Sequence, residues 1–140
     1  MSKILCATRG GEASYQTQDQ AITLARQRGD TLIFLYVIDT HFLDKTAAPI
    51  VVDVGQQVQH MGEFLLAMAQ ERAKNRGVSV RCICRSGRVR DEIKAVAREE
   101  QADVVVLGQP TGEANTFGIE ELEAFAAEIE AETGCQVVIV

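Results

Sequence analysis

Aromatic residues and proline are scarce in this 140-residue sequence, and tryptophan is absent. Because 46% of the residues are hydrophobic but only 5% are aromatic, the core must be built from Ile, Val, Leu and Ala. Long apolar runs are also missing, and stretches such as Leu32 to Ile38 are too short to cross a bilayer. We expect one domain over residues 1–140. Since Met1 to Gly11 lacks the long apolar segment of a signal peptide, we also expect a cytoplasmic protein without membrane contact.

Basic residues are absent from the last part of the chain, although 14 Lys and Arg occur up to Arg98. The acidic residues that follow are Glu113, Glu120, Glu121, Glu123, Glu128, Glu130 and Glu132. This pattern predicts a C-terminal helix with an acidic surface and no counter-charge. Such a surface is either a solvated face or a docking site for an unknown protein partner of basic character. Nucleic acid is not expected as a partner, because a binding surface for it needs the opposite sign.

Residues for metal or catalytic chemistry are few. The four cysteines each lie in or beside an aliphatic run, which we interpret as reduced thiols in the core. Cys82 and Cys84 share one face of a strand, whereas a zinc site usually takes two such pairs from turns, so no metal is expected. His41 and His60 have no Ser, Cys or Asp partner in the pattern. The sequence therefore predicts a protein that is not an enzyme.

Short aliphatic runs alternate with longer stretches in which apolar residues recur three and four apart, a pattern that predicts alternating strands and helices. The predicted strands are Lys3 to Ala7, Thr31 to Ile38, Val78 to Cys84, Asp103 to Gly108 and Gln136 to Val140. The predicted helices start at Ser14, Asp53, about Asp91 and about Thr116, with stops at Gly29, Gly77 and Gly134. In the second helix the predicted buried stripe is Val54, Val58, Met61, Leu65 and Met68. Residues Thr40 to Val52 are predicted to form an irregular loop.

Four segments in this order resemble the universal stress protein family: "KILCATRGGEAS", "LARQRGDTLIFLYVID", "RSGRVRDEIKAVAREEQADVVVLG" and "GCQVVIV". Together they extend over essentially the whole sequence. The resemblance implies an α/β fold of the adenine nucleotide alpha hydrolase-like type. Its open five-stranded parallel sheet, in the order 3-2-1-4-5, has helices on both faces. It also implies a cytoplasmic protein of the stress response that is usually dimeric.

In such a sheet the ligand crevice lies where the strand order reverses, outside the carboxyl ends of strands one and four. Members of the family that bind ATP carry an Asp in the first loop. After strand four they carry glycines in the pattern Gly, two residues, Gly, nine residues, Gly, then Ser or Thr. This sequence keeps Gly108, but it has Arg9 at the Asp position, Thr111 at the second glycine position and Glu121 at the third. The residues that frame the crevice by resemblance are Ala7, Thr8, Arg9, Val37, Leu107, Gly108 and Gly112.

Two interpretations of the crevice follow. The preferred one is a non-catalytic binding or regulatory module with weak or no ATP binding and no cofactor, in which Gly108 and Gly112 form a backbone bend and Arg9 is a solvated cation. The alternative is a nucleotide-dependent switch or slow ATPase, with adenine against Val37, Thr8 and Leu107 and with Arg9 as an anion-binding group.

The last strand is aliphatic and forms a sheet edge in the expected order. Its backbone groups would remain unpaired unless a loop or a second copy of the chain covered them. We predict a homodimer through Val137, Val138, Ile139 and Val140, as the family resemblance also implies.

Overall fold

Five parallel strands form an open sheet in the computed structural model. The structure describes residues 3–8, 12–38, 48–108 and 119–140. For residues 12–14, 48–59 and 119–121 it describes the backbone only. The strands are β1 (Lys3–Ala7), β2 (Thr31–Ile38), β3 (Val80–Ser86), β4 (Val104–Leu107) and β5 (Gln136–Ile139). Their order is β3-β2-β1-β4-β5, which confirms the prediction and places β3 and β5 at the edges.

Four helices connect the strands and cover both faces of the sheet, as predicted. They are α1 (Glu12–Arg28), α2 (Ala48–Asn75), α3 (Val89–Glu99) and α4 (Ile119–Thr133). Buried residues of α1 and α2 pack on one face, and those of α3 and α4 pack on the other. Within the described ranges, no helix has the length and apolar character needed to cross a membrane.

Each face of the sheet carries its own core because successive residues of a strand point to opposite faces. In β1, Ile4 and Cys6 pack with α1 and α2, in what we call the α1/α2 core. The intervening Leu5 packs with α3 and α4, in the α3/α4 core. The same alternation in β4 places Val105 and Leu107 in the α3/α4 core. β1 and β4 are therefore apolar on both faces, as their aliphatic sequences predicted.

The predicted helix stops are confirmed, but two helix starts were wrong. Gly29 follows α1 with φ +68°, a left-handed conformation that glycine adopts at little cost. Ser14 does not cap α1, because the helix already begins at Glu12.

The start of α2 also precedes its predicted position. The helix begins at Ala48, so Asp53 lies inside it. Pro49 is compatible with this start, because proline needs no amide hydrogen bond in the first turn of a helix. Residues 48–52 of the predicted loop are thus helical, whereas residues 39–47 lie outside the described ranges. β3 is likewise displaced by two residues toward its carboxyl end from the predicted strand.

The buried stripe of α2 differs from the predicted one. Met61 and Met68 are 59% and 39% exposed, and the described part of the buried face instead comprises Gly62, Leu66, Ala69 and Ala73. A Cβ atom at Gly62 would lie 2.7 Å from Cδ1 of Tyr36. The small side chains therefore let α2 approach the sheet closely, and the larger apolar side chains lie on the outer side of the helix. Of the remaining members of the predicted stripe, Leu65 is half-buried, and Val54 and Val58 lie where side chains are not described.

Candidate functional site

The order of the strands reverses between β1 and β4, which are direct neighbours in the sheet. The helices that follow these two strands, α1 and α4, pack on opposite faces. In open α/β sheets this divergence creates a ligand crevice outside the carboxyl ends of the strands. Ala7 and Thr8 lie at the end of β1, and Leu107 and Gly108 lie at the end of β4. These residues form the described part of the candidate site.

The predicted crevice residues are divided between the two faces of the sheet. Ala7 and Val37 are half-buried and pack against the α3/α4 core, to which the buried Leu107 belongs. Thr8 points to the opposite face, where it contacts α1. Leu107 and Val37 therefore lie on one face of the sheet and Thr8 on the other, although the adenine-binding alternative groups all three around the base. Two further candidate residues, Arg9 and Gly112, lie outside the described residues.

A buried polar pair lies beneath the end of β1. The Gln18 side chain donates a hydrogen bond of 2.9 Å from Nε2 to Oγ1 of Thr8, and the two residues are only 1% and 6% exposed. The Thr8 amide donates to the Leu35 carbonyl oxygen at 2.8 Å, which holds the end of β1 against β2. Oε1 of Gln18 is buried without a hydrogen-bond partner. The carboxamide oxygen of Gln18 can therefore still accept a hydrogen bond beneath the end of β1.

Sequence reasoning did not select Gln18, although a signal was present. Gln18 lies three, four and seven residues before Ala21, Ile22 and Ala25, which form the buried face of α1. A polar side chain on that face must find a partner inside the protein, because an unpaired buried amide group costs about 1–3 kcal/mol. The break in the apolar pattern at this position was the available signal.

Packing against α1 explains the glycine at the end of β4. A Cβ atom at position 108 would lie 2.5 Å from Oγ1 of Thr17, a buried residue of α1. Gly108 is not among the glycines with positive φ, so a tight backbone bend is not the reason for glycine at this position. The close approach of β4 to α1 requires the missing side chain.

The arginines near β3 form ion pairs and ring contacts at the α3 side of the sheet. Arg85 pairs with Glu99, and Arg81 pairs with Glu100 at 2.8 Å. The Arg90 guanidinium lies 5.4 Å from the centre of the Phe125 ring. These contacts join α3 to β3 and to α4.

The acidic surface of α4 is partly neutralised by the neighbouring helix, which corrects the expectation of an uncompensated charge. Lys94 of α3 pairs with Glu128 and, at 2.8 Å, with Glu132. Hydrogen bonds to these two carboxylates raise the pKa of Lys94, and the bond from Lys94 lowers the pKa of Glu132. Sequence separation concealed this contact, since Lys94 precedes Glu128 by 34 residues.

All four cysteines are free, but not all of them lie in the core. Cys6 and Cys135 are buried, and burial raises the pKa of Cys6 to about 12, so this thiol is protonated at neutral pH. Cys82 is exposed on β3, an edge strand with a neighbouring strand on one side only. Across the described residues there is no group of three or more His, Cys, Asp or Glu side chains suited to hold a metal ion.

The fold and the position of the crevice define an open, doubly wound α/β protein of the adenine nucleotide alpha hydrolase-like type. A model of the Universal stress protein family matches residues 1–116. A universal stress protein from Methanothermobacter thermautotrophicus is 31% identical over 109 residues, which cover 76% of this chain and 74% of the relative. The chain belongs to the universal stress protein family.

Two solved structures of this family resemble the fold over nearly its full length. One is a universal stress protein in complex with cAMP, with a TM-score of 0.69 and 23% identity over 99% of this chain and 96% of that one. The other is an Arabidopsis thaliana family member with AMP bound, with a TM-score of 0.69 and 16% identity over 100% of this chain and 91% of that one. These similarities confirm the fold.

Proposed function

We propose that this chain is a non-catalytic, dimeric regulatory module of the stress response that binds a nucleoside monophosphate weakly between β1 and β4. The observation that best supports the binding role is the buried Thr8–Gln18 pair, whose unpaired Oε1 lies beneath the crevice. Leaving such a group unpaired costs about 1–3 kcal/mol, which a ligand or water donor would recover. The structures with cAMP and AMP bound show that the same fold accommodates nucleotides of this size in other family members.

The sequence after Gly108 argues against a tight grip on a triphosphate. Glycine allows backbone amides to approach phosphate oxygens closely, and a helix start adds further donors. This chain has Thr111 and Glu121 where the ATP-binding pattern has glycine, and Glu113 adds a negative charge to the same segment. Each additional phosphate would bring more negative charge toward these carboxylates, so affinity should fall from monophosphate to triphosphate.

The described part of the crevice supports binding rather than turnover. Ala7, Val37 and Leu107 contribute alkyl groups and Thr8 a hydroxyl group, and the carboxamide of Gln18 lies beneath them. None of these groups titrates near neutral pH, whereas general acid–base catalysis needs a group with a pKa close to the working pH. We therefore propose that ligand binding changes the properties of the surface without chemical conversion of the ligand.

Isothermal titration calorimetry with AMP, cAMP and MgATP tests this proposal. We expect saturable binding of AMP or cAMP in the micromolar to millimolar range and weaker binding of MgATP. Val37→Asp should abolish the binding, because it places a carboxylate in the crevice. Val80→Asp is the matched control, since Val80 is also half-buried but lies at the opposite end of the strands. Tighter binding of MgATP than of AMP, or release of phosphate from ATP, would instead support the nucleotide-dependent switch or slow ATPase.

We also propose that two copies pair through β5. The two edges differ in their side chains: β3 carries Arg81 and Arg85, both engaged in ion pairs, whereas Val137–Val140 are uncharged and half-buried. Charged side chains along an edge oppose the addition of another strand. A second copy of β5 would give the exposed backbone groups of this edge partners and cover its aliphatic side chains.

Ile139→Asp tests the dimer. Val137 packs against the α3/α4 core, and Val138 and Val140 pack against the α1/α2 core, so substitutions there would also weaken the monomer. Ile139 belongs to neither set. We expect sedimentation velocity to show a dimer for the native protein and a folded monomer for Ile139→Asp. An unchanged dimer in the variant would refute pairing through this edge.

A further inference from the structure

A carboxylate from α4 caps the edge of β5. The Val137 amide donates a hydrogen bond of 3.1 Å to Oε1 of Glu130, an exposed residue in the last turn of the helix. This contact crosses the short connection between α4 and β5. Glu130 thus differs from its neighbours Glu128 and Glu132, which pair with Lys94.

The capped amide belongs to the row of backbone groups that faces away from the sheet. The amides of Gln136 and Val140 donate to the carbonyl oxygens of Asp103 and Leu107, each at 2.9 Å. Because the backbone groups of successive residues in a strand point in opposite directions, Val137 and Ile139 direct their amide and carbonyl groups outward. Val137 and Ile139 are therefore the residues that an added strand would engage.

A two-fold axis through Val138 makes this row self-complementary. In an antiparallel pair, residues that face each other in a hydrogen-bonded position exchange both their amide and their carbonyl bonds. With the axis at Val138, Val137 of one copy faces Ile139 of the other, and the reverse pair is equivalent. The Glu130 cap occupies one donor in each of these two pairs.

We propose that Glu130 gates the pairing of β5 with a second copy of this chain. In the separate subunit its carboxylate satisfies the Val137 amide, and association requires that the carboxylate leave so that the amide can donate to the partner's backbone. The inference rests on the dimer proposed above, because it assigns the residue that controls the same edge. The cap stabilises the separate subunit and keeps the edge from pairing indiscriminately.

Three variants of α4 test the gate by sedimentation equilibrium. Glu130→Ala removes the cap, and we expect it to lower the dimer dissociation constant about tenfold, since two caps are released per dimer and each hydrogen bond amounts to a few-fold in an equilibrium constant. Glu130→Gln retains an acceptor without the charge, and its dissociation constant should remain nearer to that of the native protein. Glu123→Ala removes the same charge from an exposed site on the same helix and is the matched control. Equal effects of Glu130→Ala and Glu123→Ala would reduce the gate to a general charge effect and overturn it.

Amide hydrogen exchange at low protein concentration separates failure of the gate from failure of the dimer. Glu130→Ala should accelerate exchange of the Val137 amide several-fold but leave the Val140 amide, which is bonded to β4, unchanged. If Ile139→Asp breaks the dimer while Glu130→Ala alters neither exchange nor association, the gate is refuted and the dimer stands. If no form dimerises, the proposed dimer is refuted and the gating role with it, even where the Val137 amide exchanges faster.

Discussion

Replacement of Gly108 by alanine should destabilise the protein through a single contact with α1. The added Cβ would lie 2.5 Å from Oγ1 of Thr17, well inside ordinary van der Waals contact, which begins near 3.4 Å. Overpacking of this kind costs about 1–3 kcal/mol. Alanine also restricts the unfolded chain, which returns about 0.4–1 kcal/mol where the native φ is compatible. We therefore expect Gly108→Ala to lower the free energy of unfolding by about 1–2 kcal/mol.

Thr17→Ala should reverse the sign of this effect. The three atoms nearest to the added Cβ are Oγ1, Cγ2 and Cβ of Thr17, and the substitution removes the first two. The Cβ that remains at position 17 lies 3.5 Å from the added Cβ, an ordinary van der Waals distance. In that background Gly108→Ala should stabilise the protein by about 0.4–1 kcal/mol, because only the effect on the unfolded chain remains. Urea denaturation of the native protein, the two single variants and the double variant measures the coupling energy between positions 17 and 108, which we expect to be about 1–3 kcal/mol. In the native background the melting temperature should fall by about 3–7 °C.

A Gly108→Ala penalty of the same size in both backgrounds would refute this explanation. The glycine would then be required by its own backbone or by a ligand, and the close approach of β4 to α1 would not be its cause. Because every measurement in the cycle is made without nucleotide, the result does not depend on the proposed binding function.

Two further predictions concern side chains outside the crevice. Lys94→Gln should lower stability at neutral pH more than Lys74→Gln at an exposed position of α2. The pKa of Glu132 is lowered in the folded protein, so its stabilising contribution is present above the ordinary carboxyl pKa and is lost as pH falls through the folded pKa. The difference in stability between these two variants, measured by urea denaturation, should therefore shrink in acid. A difference that grows in acid would contradict the ion pair. With iodoacetamide, Cys82 should be alkylated in the folded protein, whereas the buried Cys6 should react only on unfolding. Peptide mass spectrometry checks the order, and early modification of Cys6 would contradict its burial.

The sheet could be predicted from the sequence because its central strands β2, β1 and β4 are buried on both faces. Runs such as Leu32 to Ile38 and Val104 to Leu107 are continuous and aliphatic, which is typical of parallel strands between two layers of helices. The resemblance to the universal stress protein family then implied the strand order, which the structure confirms. The stops of the helices were also predictable, since glycines such as Gly29 mark them locally.

The buried face of α2 could not be predicted from the size of its apolar residues. Two stripes overlap on this helix, one with Met61 and Met68 and the other with Leu66 between small residues. Both stripes have the spacing of one helix face. Only the stripe that contains Gly62 can pack in close contact with Tyr36, because a side chain at that position would clash with the tyrosine ring. Packing distance decided between the two stripes, and the periodicity of the sequence carries no information about that distance.

Three contacts in the structure depend on pairs that are distant in sequence or lack a motif. Gln18 meets Thr8, Lys94 meets Glu128, and Glu130 meets a backbone amide that no side-chain pattern reveals. The sequence placed Thr8 and Gly108 at the crevice through the order of the strands. It did not indicate that α1 supplies the buried partner of Thr8 or the hydroxyl group that excludes a side chain at Gly108.

Quantification of the nucleotide that accompanies the purified native protein tests the central claim most directly. Acid extraction and ion-pair chromatography of the freshly isolated protein would measure AMP, cAMP and ATP per chain. The proposed preference for monophosphates, with Thr111 and Glu121 in place of two glycines of the ATP-binding pattern, predicts little or no ATP, with any retained nucleotide being a monophosphate. Recovery of ATP in near-stoichiometric amount would contradict this account.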